Sequence, residues 1–122
     1  QAQQLTQGLA ASPGAAVGAI YFTAHEAVEA AKTKPVVLVR EETSPEDIEG
    51  MVSSEAIVTL RGGMTSHAAV VARGMGKCCV CGCQNMIINY DEKTLKIAGI
   101  TLKEGDVISV DGSTLSHYLF FS

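Results

Sequence analysis

The chain predicts an α/β fold, and two observations carry that prediction. Short apolar runs of β type outnumber helical segments, and in the middle of the chain strands and helices alternate, which separates α/β from all-β. The 122 residues suffice for one compact domain with a single core. Residues 1–12 are rich in glutamine and alanine and read as the end of a linker, which leaves 13–122 as the domain proper.

The elements follow in order. Ser12-Pro13-Gly14 is a turn, and Ala16 to Phe22 is the first strand. Ala24 to Lys32 has helical composition. Val36-Val37-Leu38-Val39 is a continuous apolar run, the pattern of a strand covered on both faces. Ser44-Pro45-Glu46-Asp47 marks a helix start, with a capping serine, proline at the first position and acids in the first turn; the helix should run to about Met51. Ala56 to Leu60 is another apolar run and leads into Gly62-Gly63. A helix is expected over His67 to Arg73, its end marked by Gly74 and Gly76. Val80 to Cys83, Leu95 to Ile97 and Val107 to Val110 read as strands. Asp91-Glu92, Leu102 to Asp106 and Asp111-Gly112-Ser113 read as turns. No internal repeat is visible. The closing Tyr118-Leu119-Phe120-Phe121 is expected to pack on a neighbouring part.

Composition excludes several classes. With 47% hydrophobic and 18% charged residues, the chain is globular rather than disordered. A net charge of -4 without any lysine or arginine cluster argues against nucleic acid. No apolar run approaches membrane-span length, and no basic stretch precedes an apolar one at the N-terminus. An intracellular protein, cytoplasmic or organellar and without a targeting signal in this stretch, is expected. Cys78, Cys79, Cys81 and Cys83 lie within six residues but lack the two-residue gaps of zinc pairs. On a strand, alternate thiols face opposite sides, so buried, reduced cysteines and no metal are expected. A thiol metal-binding module is the alternative from another class.

The chemistry concentrates in Arg61 to Arg73. Gly62 and Gly63 let the backbone turn and approach a ligand closely. A helix starting just beyond them offers free N–H groups and its positive end to an anion. Thr65 and Ser66 can each cap that helix. His67 then stands where a nucleophilic imidazole could take up a phosphoryl group whose charge is already accommodated. Arg61 and Arg73 bracket the segment with guanidinium groups suited to phosphate. The same residues also fit a plain loop-to-helix turn with a surface histidine and solvated arginines, and a non-catalytic interaction domain.

The segment GGMTSHAAVVARGMGKCC resembles the phosphohistidine motif of the pyruvate phosphate dikinase family. LAASPGAAVGAIYFTAHEA and PVVLVREETSPEDIEGM extend the resemblance over nearly the whole chain. The wider group includes phosphoenolpyruvate (PEP) synthase and enzyme I of the bacterial sugar phosphotransferase system, which share the Gly-Gly-x-(Thr/Ser)-Ser-His-x-Ala core and stand as alternative readings. The resemblance implies a swivelling β/β/α phosphohistidine domain, a fragment of a larger enzyme converting ATP, phosphate and pyruvate to AMP, diphosphate and PEP. It implies that His67 carries the phosphoryl group between a nucleotide-binding domain and a PEP/pyruvate barrel domain. Gly62, Gly63, Thr65, Ser66 and Arg73 would support the phosphate, and Thr65 matches a regulatory threonine of plant members. No cofactor is expected on this domain; Mg2+ and homo-oligomerisation are expected of the full-length enzyme. One departure stands at the end, where Asp111-Gly112-Ser113-Thr114 continues with Leu115-Ser116-His117 instead of the family's usual glycine.

Overall fold

The computed structural model describes residues 3–83, 86–97, 99–111 and 116–121, with the backbone alone for 3–10 and 116–121. Strands β1 (Gln3–Ser12), β2 (Ala15–Tyr21), β3 (Val36–Arg40), β4 (Ala56–Thr59), β5 (Cys78–Cys81), β9 (Val107–Asp111) and β10 (Ser116–Phe121) close into a barrel ordered β1-β10-β9-β2-β3-β4-β5. A separate antiparallel sheet holds β6 (Met86–Asn89), β7 (Thr94–Ile97) and β8 (Ile100–Lys103). β2, β3, β4 and β5 run parallel to one another, and β2 and β5 pair antiparallel with β9 and β1 on their other sides. Helices α1 (Ala24–Ala31), α2 (Ile48–Ser53) and α3 (His67–Met75) make the three crossovers between them. The mixed α/β class is as expected.

The apolar runs are continuous because both faces of the parallel strands are covered. Val37, Val39, Ala56, Val58 and Val80 join one core with Ile20, Ile108, Val110 and the apolar face of the small sheet, Ile88, Leu95, Ile97 and Leu102. Val36, Leu38, Ile57, Cys79 and Cys81 point the other way, into a second core under the helices with Ala27, Met51, Ala68, Ala69 and Ala72. Period-two alternation divides each strand between these cores. Alanine on the inner face of α3 allows that helix to lie close to the sheet. Close approach is tightest between α1 and α2, where a Cβ on Gly50 would sit 2.6 Å from Ala24 Cα. Among the described residues no helix is long and apolar enough to cross a membrane.

Local signals mark most helix ends correctly. Thr23 caps α1 by accepting from Glu26 N at 3.3 Å. Asp47 reaches back to accept from Ser44 N at 3.0 Å, and a short 3-10 turn over Pro45–Asp47 precedes α2. Gly74 lies within α3; the helix ends instead at Gly76, whose φ of 73° is left-handed.

Several expectations are corrected. Within the stretch expected as a linker end, Gln3–Ser12 is β1, paired with β5 and β10. The expected strand Val80 to Cys83 begins two residues earlier and stops before Gly82, whose φ is +68°. The expected turn over Leu102 to Asp106 shrinks to Glu104–Gly105, because Ile100–Lys103 pairs with β7. Tyr118 to Phe121 belongs to β10, between β9 and β1. The expected turn after Asp111 lies outside the described residues.

Candidate functional site: a histidine at a helix N-terminus

Backbone pairing continues beyond the C-terminal ends of β3 and β4. Leu60 N donates to Arg40 O at 3.1 Å, and Arg61 N donates to Glu41 O at 2.9 Å. These bonds bring the segment after β3 beside the glycine turn after β4. The C-terminal edge of parallel strands is where open α/β sheets generally bind ligands. Here it forms a pocket of about 190 Å3 lined by Glu42, Thr43, Arg61, Gly62, Ser66, His67 and Ala68.

The turn is built from short bonds. Thr59 Oγ1 donates to Arg61 O at 2.7 Å, fixing the exit from β4. Gly62 follows at φ +110°, and a Cβ there would meet Ser66 Cβ at 2.9 Å, so both conformation and space demand glycine. Gly63 O accepts from Ser66 N at 3.1 Å and from Ser66 Oγ at 2.8 Å. Ser66 is the N-cap of α3 and accepts from Ala69 N at 3.3 Å. His67 is thereby the first helical residue, half-buried, at the positive end of the helix dipole. Its Nδ1 lies 2.9 Å from Thr43 Oγ1, and Thr43 is buried. With Nδ1 engaged, Nε2 is the ring nitrogen left for chemistry.

The expected site residues divide accordingly. Gly62, Ser66 and His67 converge on the pocket, and Gly63 holds the cap. Thr65 is exposed in the turn, outside the pocket lining, and Ser66 rather than Thr65 caps the helix. Arg73 is also outside the lining: its Nη1 donates to Ala11 O at 2.9 Å and its Nη2 to Met64 O at 2.6 Å. That guanidinium staples the turn to β1. The cation in the pocket lining is Arg61, half of an exposed ion pair with Glu41 at 3.7 Å. Thr43 is the residue that sequence reasoning missed. It lies inside VREETSPEDIEGM, where the adjacent capping signal Ser44-Pro45 draws the eye away from it.

Within β5 the thiols of Cys78, Cys79 and Cys81 alternate between the cores, whereas Cys83, beyond the turn at Gly82, lies outside that alternation. Cys78 and Cys83 join the inner core, Cys79 and Cys81 the one under α3. Burial pushes Cys78 up to about 11 and Cys83 to about 12. Cys79 Sγ lies 3.6 Å from Cys81 Sγ; that hydrogen bond raises Cys79 and holds Cys81 down to about 6, with help from Thr59, Ser66 and Arg73. Cys81 Sγ is also 3.8 Å from Ser66 Oγ, directly beneath the cap. Among the described residues no three His, Cys, Asp or Glu side chains converge as a metal site. The pocket itself offers one carboxylate, Glu42, beside a guanidinium, a donor set that does not fit Mg2+.

Residues 32–115 match the family described as PEP-utilising enzyme, mobile domain. The chain is 64% identical over 107 residues to the pyruvate, phosphate dikinase of Clostridium symbiosum, covering 87% of this chain and 12% of that protein. It is 57% identical over 113 residues to pyruvate, phosphate dikinase 2 of Zea mays, covering 92% and 13%. It is 56% identical over 112 residues to the chloroplastic pyruvate, phosphate dikinase 1 of Arabidopsis thaliana, covering 90% and 12%. The chain thus spans only 12–13% of the length of these relatives. The family match runs from the end of α1 through β9, and the chain belongs to the PEP-utilising enzyme mobile-domain family.

Proposed function

We propose that this chain is the phosphoryl-carrier domain of a pyruvate phosphate dikinase, with His67 as the carrier. The observation that carries the reading is the bond between His67 Nδ1 and Thr43, which leaves Nε2 for chemistry in a residue that lines a pocket at a helix N-terminus. Phosphoryl transfer asks mainly for positioning and charge stabilisation. Thr43 fixes the ring. The dipole of α3 and the Arg61 side chain accommodate the phosphate, and Gly62 leaves room for its approach. In this reading two partners reach the phosphoryl group on Nε2 in turn.

In this reading the domain swivels between a nucleotide-binding domain and a PEP/pyruvate barrel domain of the same enzyme, which is a homo-oligomer. The overall reaction is ATP, phosphate and pyruvate to AMP, diphosphate and PEP. Mg2+ bound in the partner domains supplies charge neutralisation at the phosphates there. Thr65, exposed two residues before His67, is accessible to modification. The relatives' names favour a dikinase over PEP synthase or enzyme I. Incubation with PEP, Mg2+ and the separate barrel domain should add one phosphate to the chain, seen by intact mass. The label should be lost in mild acid and absent from His67→Ala. An acid-stable label, or one retained by the variant, would refute the assignment.

A further inference from the structure

The pocket's own cation is already engaged. Arg61 Nη1 lies 3.7 Å from Glu41 Oε1, and both side chains are substantially exposed, 63% and 41%. Their backbones are locked together by the bond from Arg61 N to Glu41 O. Glu41 is further fixed by its own N–H, which donates to Tyr90 Oη at 3.1 Å, while the Tyr90 ring lies 5.1 Å from the Arg40 guanidinium. The Glu41 backbone is thus anchored beside the pocket, which keeps its carboxylate within reach of Arg61, whereas the arginine side chain is long, solvated and able to turn inward. An exposed ion pair of this kind is worth little, about 0–1 kcal/mol by general measure. A phosphoryl group carries nearly two negative charges and three acceptor oxygens, and it matches the guanidinium fork.

We propose that Arg61 is a catalytic residue of the carrier which exchanges Glu41 for the phosphoryl group, and that Glu41 sets how readily it does so. The inference rests on the carrier reading of His67. In the unphosphorylated state Glu41 holds Arg61 at the rim, neutralising a cation that would otherwise stand beside the imidazole. On phosphorylation Arg61 swings to the phosphoryl oxygens. On handing the group on, it returns to Glu41. Glu42, in the same lining, opposes phosphate by its charge, but it acts on the field and not through Arg61.

Potassium phosphoramidate tests this on the 122-residue chain without partner domains. The P–N bond of the reagent breaks, a new P–N bond forms at His67 Nε2, and ammonia leaves with the imidazole proton. Uptake followed by intact mass should slow by about tenfold in Arg61→Gln and by much less in Arg61→Lys. It should quicken by about two- to fivefold in Glu41→Gln, as expected from losing an exposed pair. The 31P titration midpoint of the phosphohistidine should fall in Glu41→Gln and rise in Arg61→Gln, because a nearby cation favours the dianion. In the Arg61→Gln background the Glu41→Gln effect should largely vanish, while that of Glu42→Gln should persist. Thermal melting of each variant checks the fold, and should Arg61→Gln not fold, the comparison of Arg61→Lys with Glu41→Gln still decides. If wild type labels at His67 but these variants match its rate and midpoint, the Arg61 exchange is refuted while the carrier reading stands. If wild type takes up no label at His67, both fall.

Discussion

Thr43→Val is the sharpest probe of how the ring is held. The substitution deletes the hydroxyl 2.9 Å from His67 Nδ1 and keeps a branched side chain of nearly the same shape in a buried position. Before reaction the lost bond joins two neutral groups, worth about 1 kcal/mol net. As Nε2 takes the phosphoryl group, positive charge develops on the ring and Nδ1–H becomes a stronger donor to Thr43. Bonds to charged groups contribute about 1.5–3 kcal/mol. Only the difference slows the reaction, about 0.5–2 kcal/mol, or roughly two- to thirtyfold. The pocket is open enough for water to replace the hydroxyl in part, so about tenfold is the central expectation. Single-turnover labelling from PEP with the barrel domain gives the rate. Thr43→Ser should restore most of it. If Thr43→Val stays folded and labels at the wild-type rate, or if Thr43→Ser is equally slow, Thr43 does not hold the ring.

Three further predictions follow from the packing. Arg73→Gln should lower thermal stability by a few degrees, roughly 1 kcal/mol for two lost carbonyl bonds partly replaced by water, and slow labelling only through a looser turn. Unchanged stability with abolished labelling would instead make Arg73 a phosphate ligand. Gly50→Ala should destabilise by about 1–2 kcal/mol in chemical denaturation: alanine gains up to about 1 kcal/mol of helix propensity, but the new methyl meets Ala24 backbone, which cannot rotate away. A more stable variant would contradict that contact. The buried thiols predict alkaline weakening. Cys78 and Cys83 have folded values of about 11 and 12, above the ordinary thiol value, so their contribution is fully present below about pH 8.5 and is lost as pH rises through 11 and 12. The slope should approach about 1.4 kcal/mol per pH unit for each thiol in that window. Cys83→Ala should flatten it, and a slope unchanged by the substitution would refute the assignment.

What could be read from residues alone was whatever is decided locally. The apolar runs at Val36 to Val39 and Ala56 to Leu60, the cap signals at Ser44-Pro45 and Ser66, and the histidine after paired glycines are set by neighbours in the chain. β1 escaped notice because its pairing partners, β5 and β10, are distant in sequence, and barrel closure satisfies its backbone whatever its local pattern. The small sheet was half seen: Leu95 to Ile97 announced a strand, whereas Met86 to Asn89 and Ile100 to Lys103 pair with it across turns that their composition does not advertise. Within the site, His67, Gly62 and Ser66 were legible because their roles are conformational. Thr43 and the pairing of Arg61 with Glu41 depend on β3 and β4 lying side by side, a tertiary fact. For the same reason Arg73 looked like a phosphate ligand in sequence, where nothing shows that Ala11 and Met64 carbonyls are within its reach.

The claim that this chain carries a phosphoryl group between two domains is tested most directly by isolating the phosphorylated form and giving it only the second partner. Chain labelled with [32P]PEP and the barrel domain would be purified away from both and mixed with the nucleotide-binding domain, Mg2+, AMP and diphosphate. The account predicts that the label leaves His67 and appears in ATP, with one ATP and one unlabelled phosphate, the latter from diphosphate, formed per phosphorylated chain. Label that remains on the protein, or is released as phosphate while no ATP forms, would contradict it.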